Sequence, residues 1–186
     1  MQVDWIDLDS PLGGIVLRIE NARLTGLFFV GQKHFPARAL PPDDTTQSAA
    51  ALAALARLAV RAQGQIADYF AGLRQAFDLP LDLHGTAFEL EVWRQLATIP
   101  YGAVTSYGAI ARRLGLAPGY ARAVGAAVGR NPLSIIIPCH RVLGASGQLT
   151  GYAGGLPRKQ ALLELEAGAA AIQITQARQA ASGTQP

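Results

Sequence analysis

The sequence predicts an α+β protein: a small N-terminal antiparallel sheet with one helix, then a helical C-terminal part containing a helix–turn–helix. Three observations carry this. Residues 3–30 alternate apolar and polar side chains in short runs separated by turn residues, the period of half-buried strands. Residues 47–71 are rich in Ala and Leu, with Leu52, Leu55, Leu58, Ile66, Tyr69 and Phe70 at helical spacing. From Thr86 onward, cap residues and apolar stripes recur at helical intervals, punctuated by Gly and Pro.

Residues 3–8, 15–19 and 24–30 supply the strands of a meander, with turns at Gly13-Gly14 and Asn21-Ala22. Residues 31–46 form a loop broken by Pro36 and Pro41-Pro42, and the helix over 47–71 has Gly64 as a point where it can divide. Residues 79–83 are a candidate last strand. His84-Gly85 marks a boundary. It separates a supporting α/β domain over 1–83 from a second domain over 84–168, with a disordered Ala/Gln/Gly-rich tail over 169–186.

The second domain opens with Thr86 and Glu89, a capping box in which each side chain satisfies an exposed amide. Phe88, Val92, Trp93 and Leu96 give that helix its buried stripe, and the Ile-Pro-Tyr-Gly at 99–102 ends it. Ser106 caps the next helix, which Gly115 stops. A turn at 116–119 leads to another helix from about 120 to 128, ended by Gly129. On it Ala121, Val124 and Val128 face inward. Arg122, Gly125, Ala126 and Gly129 share the opposite face, which is smooth apart from one guanidinium. Such a face can lie against another backbone, and Arg122 makes burial inside the domain costly. Ile135-Ile136-Ile137 reads as a strand ending at Pro138-Cys139-His140. Residues 144–155 are a loop with five glycines, and 156–167 the last helix.

Composition narrows the function classes. With 186 residues and half of them hydrophobic, the chain can build a real core. A single cysteine excludes an internal disulfide and a multi-cysteine zinc site, and His34, His84 and His140 are too far apart for a short ligand motif. The acidic N-terminus is not a signal peptide, and no stretch is apolar enough to span a membrane, so a soluble cytoplasmic protein is expected. The net charge of +3 is unevenly spread: residues 92–163 contain no Asp or Glu but eight Arg or Lys. A one-sign stretch of that length suits a polyanionic partner, and equally a plain solvated basic surface.

Cys139 is the candidate nucleophile. An isolated thiol has a pKa near 8.5, and apolar neighbours such as the three isoleucines raise it, so reactivity requires a base and an orienting carboxylate. His140 is the nearest base. Adjacent residues on a strand point to opposite sides, so a bridging water or a bend is needed between them. The carboxylates of this half are Glu89, Glu91, Glu164 and Glu166; Glu89 is used by the cap, Glu164 shares a wet face with Gln160, and Glu166 leans inward with Leu162 and Leu163. Glu166 is therefore the expected partner.

Pro138-Cys139-His140-Arg141-Val142 resembles the active-site signature of the O6-alkylguanine-DNA alkyltransferase family. Gly85-Thr86-Ala87-Phe88, Val92-Trp93, Ile99-Pro100-Tyr101-Gly102, Ser106-Tyr107, Ala121-Arg122-Ala123-Val124-Gly125, Arg130-Asn131-Pro132 and Gly151-Tyr152 resemble the family's pattern in the same order. So does Gly154-Gly155-Leu156 through Glu166, and the likeness covers roughly residues 85–168. The resemblance implies a ribonuclease-H-like arrangement of the N-terminal sheet and a winged-helix-like C-terminal domain. It implies stoichiometric transfer of an alkyl group from O6-alkylguanine in double-stranded DNA to Cys139 after base flipping, with O4-alkylthymine as a further substrate it allows. Within that reading Cys139, a water, His140 and Glu166 form a relay, Tyr107 assists the leaving guanine, and Asn131 holds the active-site turn. Arg122 enters the base stack, and Ala121, Gly125, Ala126 and Ser106 meet the minor groove. Val142, Ala153, Tyr152 and Lys159 surround the base. Some members carry Ser where Ala153 stands, which leaves here only a backbone contact. No metal or organic cofactor is implied, and the zinc ligands of some members have no counterparts. A monomer without a membrane partner is expected.

Other readings fit fewer residues. A non-catalytic damage binder leaves Cys139 idle, a winged-helix regulator leaves Cys139, Glu166 and the glycine loop idle, and a cysteine hydrolase would turn over repeatedly.

Overall fold

The computed structural model describes residues 3–38 and 48–168. The tail expected over 169–186 lies outside the described residues. The chain is a mixed α+β protein in two compact units, one formed by residues up to Gly85 together with Pro132–Ile136, the other by Thr86–Asn131 and the chain from Ile137 on.

In the first unit, strands β1 (Val3–Leu8), β2 (Ile15–Glu20) and β3 (Arg23–Phe29) form an antiparallel meander in that order. The central strand is buried on both faces except at Arg18, where the register with β3 shifts. Asn21 and Ala22 both adopt positive φ (49° and 55°), the requirement of a tight two-residue hairpin turn. Helix α1 (Ala49–Phe70) starts at Ser48, whose hydroxyl accepts from Ala51 N, and buries Leu58, Ala62, Gln65, Ile66 and Tyr69. Gly64 does not divide it. One helical Gly costs only about 1 kcal/mol, less than the apolar stripe on either side supplies.

Residues 79–83 do not form a strand. Leu81 makes a single parallel bridge to Leu24, and Pro80, with no N–H, cannot extend a ladder. The far edge of β3 is instead taken by a segment remote in sequence. Leu27 N donates to Pro132 O (2.8 Å) and Ser134 N to Leu27 O (3.0 Å). The apolar run then turns sharply. Ile136 N donates to Ser134 O (2.8 Å) across Ile135, whose φ is 71°. This is a γ-turn of the strained, positive-φ kind, rare for a β-branched residue. The strand expected from three consecutive isoleucines is absent for that reason.

The second unit begins with α2 (Ala87–Ala97), whose Thr86–Glu89 capping box is complete on both sides. Its buried stripe is Val92, Trp93 and Leu96. Phe88 does not belong to it and is 36% exposed, because first-turn side chains lean back past the helix start. A two-residue strand β4 (Thr105–Ser106) leads into α3 (Tyr107–Arg113), with the Ser106 hydroxyl accepting from Ala109 N and Gly115 (φ 70°) turning the chain after it. A short 3-10 turn, Pro118–Tyr120, precedes α4 (Ala121–Gly129). Val124, Ala127 and Val128 of α4 are buried, and the Trp93 indole donates to Ala127 O (2.9 Å). Cys139–Arg141 is one turn of 3-10 helix, followed by β5 (Val142–Leu143) running parallel to β4. Helix α5 (Leu156–Ala167) closes the unit, with Pro157 in its first turn.

Candidate active site

Cys139 enters its turn through a second γ-turn, of the relaxed kind. Its own N–H donates to Ile137 O (2.7 Å) across Pro138, whose φ and ψ are −79° and 64°. The same Ile137 carbonyl accepts from Asn131 Nδ2 (2.8 Å), and Asn131 Nδ2 also lies 3.1 Å from Cys139 Sγ. One amide group thus fixes both the turn and the sulfur it presents. The thiol is 4% exposed, and burial pushes its pKa up, opposed by the Asn131 hydrogen bond and the charge of Lys159.

Because residues 139–141 form a helical turn rather than a strand, His140 does not lie across a sheet from Cys139. The His140 main chain hydrogen-bonds the thiol, but the ring does not: His140 Nδ1 is buried without a hydrogen-bond partner among the described residues. The other ring nitrogen, Nε2, is 2.8 Å from Glu166 Oε1. Burial lowers the pKa of His140, opposed by its bond to Glu166.

Sequence reasoning missed what else holds Glu166. Arg141 grips the carboxylate with two parallel bonds, Nε to Oε2 and Nη2 to Oε1, both 2.8 Å. Gly102 N donates to Oε2 (3.1 Å), and Arg141 Nη1 donates to Ile99 O. The Arg141 guanidinium also stands 5.8 Å from the Tyr101 ring centre. Burial alone would raise Glu166; its bonds to His140 and Arg141 instead hold it at about 2. The available signal was a guanidinium inside a buried motif, which must find a carboxylate.

Lys159 solves its burial differently. It is fully buried on α5, and its ammonium donates to three main-chain carbonyls, Val142 O, Thr150 O (2.7 Å) and Gly151 O (3.2 Å). Its three N–H groups are thereby used, fastening β5 and the far end of the glycine loop together. With no carboxylate beside it, burial lowers its pKa to about 8. Tyr107, at the start of α3, donates its hydroxyl to the same two carbonyls, Thr150 O (3.1 Å) and Gly151 O (3.3 Å). Burial raises the Tyr107 pKa. Gly125 lies against that ring: a Cβ there would sit 3.6 Å from Tyr107 Cδ1.

The remaining expected residues divide between these networks and the surface. Arg122 and Ala126 are exposed on α4, and Ala121 and Gly125 are half-buried. Ser106 serves α3 as its cap. Val142 is buried, with its carbonyl on Lys159, and Tyr152 and Ala153 are half-buried in the loop before α5. Among the described residues, no three His, Cys, Asp or Glu side chains cluster as metal ligands, and no helix is long and apolar enough to cross a membrane.

Comparison with known proteins finds clear relatives of the chain. The family "6-O-methylguanine DNA methyltransferase, DNA binding domain" matches residues 87–168. The methylated-DNA–protein-cysteine methyltransferase of Mycobacterium tuberculosis (strain H37Rv) is 48% identical over 174 residues, covering 93% of this chain and 98% of that protein. The inducible enzyme of the same name from Bacillus subtilis is 40% identical over 165 residues, covering 88% and 85%. The crystal structure of M. tuberculosis OGT in complex with DNA superposes with a TM-score of 0.73 at 48% identity, covering 87% of this chain and 92% of that one. Likeness at this level runs through the sheet and α1 as well as the cysteine turn, and the chain belongs to the methylated-DNA–protein-cysteine methyltransferase family.

Proposed function

We propose that the protein repairs DNA by direct reversal, transferring the alkyl group of O6-alkylguanine to Cys139 in a single turnover. The observation that carries this reading is the site itself. The only cysteine is held by Asn131 at a preformed turn, beside a buried imidazole that faces a fixed, ionised carboxylate. His140 Nδ1 is the base, acting through a bridging water. The thiol proton passes through that water to Nδ1. A sulfur lone pair forms the S–C bond while the C–O6 bond breaks. Its electron pair leaves on O6, the guanine takes up a proton from the Tyr107 hydroxyl, and the proton later released by the imidazolium restores the tyrosine. A thioether is a poor leaving group, so the protein is spent.

The helix–turn–helix brings the substrate. Arg122 enters the stack in place of the flipped guanine, and the small residues Gly125 and Ala126, flanked by Ala121 and Ser106, press on the minor groove. The acid-free run from 92 to 163 supplies electrostatic attraction to the duplex. Main-chain groups of Cys139, Val142 and Ala153, with Tyr152 beside them, read the base. Tyr107 serves the departing guanine by exchanging its carbonyl partners for the base. Lys159 acts on the substrate through the loop it fastens. The region from 84 to 168 carries the chemistry in a winged-helix-like arrangement. The ribonuclease-H-like region over 1–83 supports it. O4-alkylthymine is a second candidate substrate, and the protein works as a cytoplasmic monomer without a cofactor.

The test is intact mass spectrometry after incubation with duplex DNA carrying O6-methylguanine. A gain of one methyl per chain on Cys139, with no second turnover, is expected. Tight binding with unchanged mass would replace this reading with that of a damage-binding protein.

A further inference from the structure

Glu166 is held from four directions. His140 Nε2 and Arg141 Nη2 meet Oε1, and Arg141 Nε and Gly102 N meet Oε2. A carboxylate has about four good acceptor directions, and here each has a donor. Three of these donors, the two guanidinium nitrogens and the peptide N–H, cannot reverse their role. A proton on Oε2 would face Arg141 Nε and Gly102 N, and one on Oε1 could point only at His140 Nε2, where it would cancel the charge that pairs with Arg141. The ionised carboxylate is therefore the favoured form, and the hydrogen between Glu166 and His140 belongs to the imidazole.

We propose that Arg141 is a positioning residue for the alkyl transfer: by saturating Glu166 it locks His140 in the Nε2–H tautomer, so that the lone pair on Nδ1 is the one available to the nucleophile. The assignment goes beyond a relay of cysteine, water, histidine and glutamate, because it says where the relay stops. The thiol proton comes to rest on Nδ1 as an imidazolium. It does not continue to Glu166, which Arg141 and Gly102 N hold as the ionised carboxylate. The bidentate geometry matters as much as the charge, since a point charge would leave one carboxylate oxygen open to His140's proton. Arg141 itself is anchored by Ile99 O and the Tyr101 ring, so the clamp is held from outside the motif.

Five ionisable groups bear on this site. They are Glu166 on α5, Arg141 and Cys139 on the 3-10 turn, Lys159 from α5, and Tyr101 from the segment after α2, which interacts with both Glu166 and Arg141. Arg141 and Lys159 both disfavour a proton on His140, and Glu166 favours one. Removing the guanidinium therefore makes His140 easier to protonate, and the base is lost over a wider acid range.

The role in catalysis rests on the alkyl-transfer reading, but the tautomer does not, and the experiment reads both. Imidazole nitrogen resonances of the full-length protein, from long-range proton–nitrogen correlation between about pH 6 and 9, are expected to show His140 as Nε2–H throughout the neutral range. An Nδ1–H tautomer in the unmodified protein would overturn the proposal, whether or not any methyl is transferred. In Arg141→Met, single-turnover transfer from O6-methylguanine DNA is expected to slow by about tenfold or more, with its acid limb moved up by about one pH unit. In Arg141→Lys, the acid limb is expected to stay close to that of the unmodified protein while the rate remains reduced, separating charge from bidentate geometry. Wild-type rate and pH profile in Arg141→Lys, or in a folded Arg141→Met, would overturn the positioning role. Absence of transfer by the unmodified protein would sink the functional reading and leave the tautomer result to decide the lock.

Discussion

Arg141 and Lys159 are two buried cations in the same unit, and they meet burial in opposite ways. Arg141 lies against a carboxylate and is matched by two parallel hydrogen bonds. Lys159 lies against three neutral carbonyls. The first arrangement keeps both partners charged and holds Glu166 at about 2. The second satisfies every N–H but offers no opposing charge, and Lys159 falls to about 8. Similar burial thus yields two nodes: one ion pair beside His140 that is charged at neutral pH, and one lysine of lowered pKa beneath the glycine loop. In the proposed mechanism the first fixes the base and the second ties down the loop that meets the guanine.

The sharpest attempt to break this distinction is Glu166→Gln. It leaves the Arg141 guanidinium buried without its counter-charge, a loss of about 3–5 kcal/mol in unfolding free energy. Transfer is expected to slow by about 100-fold while DNA affinity barely changes. Urea unfolding, single-turnover kinetics and a binding titration read the three quantities. An unaltered transfer rate would remove Glu166 from the mechanism.

Acid tests the same node without mutation. Glu166 is lowered from 4.5 to about 2, so its contribution is fully present above pH 4.5 and is lost as pH falls toward 2. The loss amounts to about 3 kcal/mol and should show as steepening acid unfolding over that window, absent in Glu166→Gln. If both proteins unfold in parallel with acid, the carboxylate is not the group responsible.

The lysine node predicts a smaller and oppositely placed effect. Lys159 is lowered from 10.5 to about 8. Between those values the unfolded chain binds the extra proton, so this group makes the fold more stable as pH rises through that range. Lys159→Met should flatten the alkaline rise. At neutral pH it should change stability by no more than about 2 kcal/mol, because relief of the buried charge offsets the carbonyls left behind. A loss equal to that of Glu166→Gln would erase the difference between the nodes.

Arg122→Ala lies at the weak end for stability, within about 0.5 kcal/mol, since the side chain is exposed. Its effect should appear only in function, as slower repair of duplex DNA than of a free O6-alkylguanine analogue. Equal losses on both substrates would count against its place in the base stack.

Much of this was readable from local sequence. The Thr86–Glu89 box, the Ser106 cap, the Asn21-Ala22 turn and the bounds of α5 are all short-range signals, and each residue carries its own reason. Periodicity from Leu162 and Leu163 was enough to turn Glu166 inward, whereas Glu164, expected on a wet face, is half-buried and accepts from Gln160 Nε2. What stayed hidden depends on distance or on conformations that propensity disfavours. Arg141 meets a carbonyl 42 residues away and a carboxylate 25 residues away, which no motif spacing reveals. Three isoleucines speak for a strand, and nothing in them announces that Ile135 will take a left-handed turn. Leu81 had the right alternation for a strand, but Pro80 beside it limited pairing to one bridge.

That isoleucine also limits how far the chain can be improved by substitution. Its backbone wants glycine, while its side chain is 1% exposed and fills the core. Glycine would relax the turn, relieving about 1–3 kcal/mol of strain, and would empty a space worth about as much or more. Alanine would keep part of the strain and lose most of the packing. No natural amino acid meets both demands, so position 135 is a dead end for thermal stabilisation. Selection for a hardier variant should leave it untouched and find its gains on the exposed face of α1.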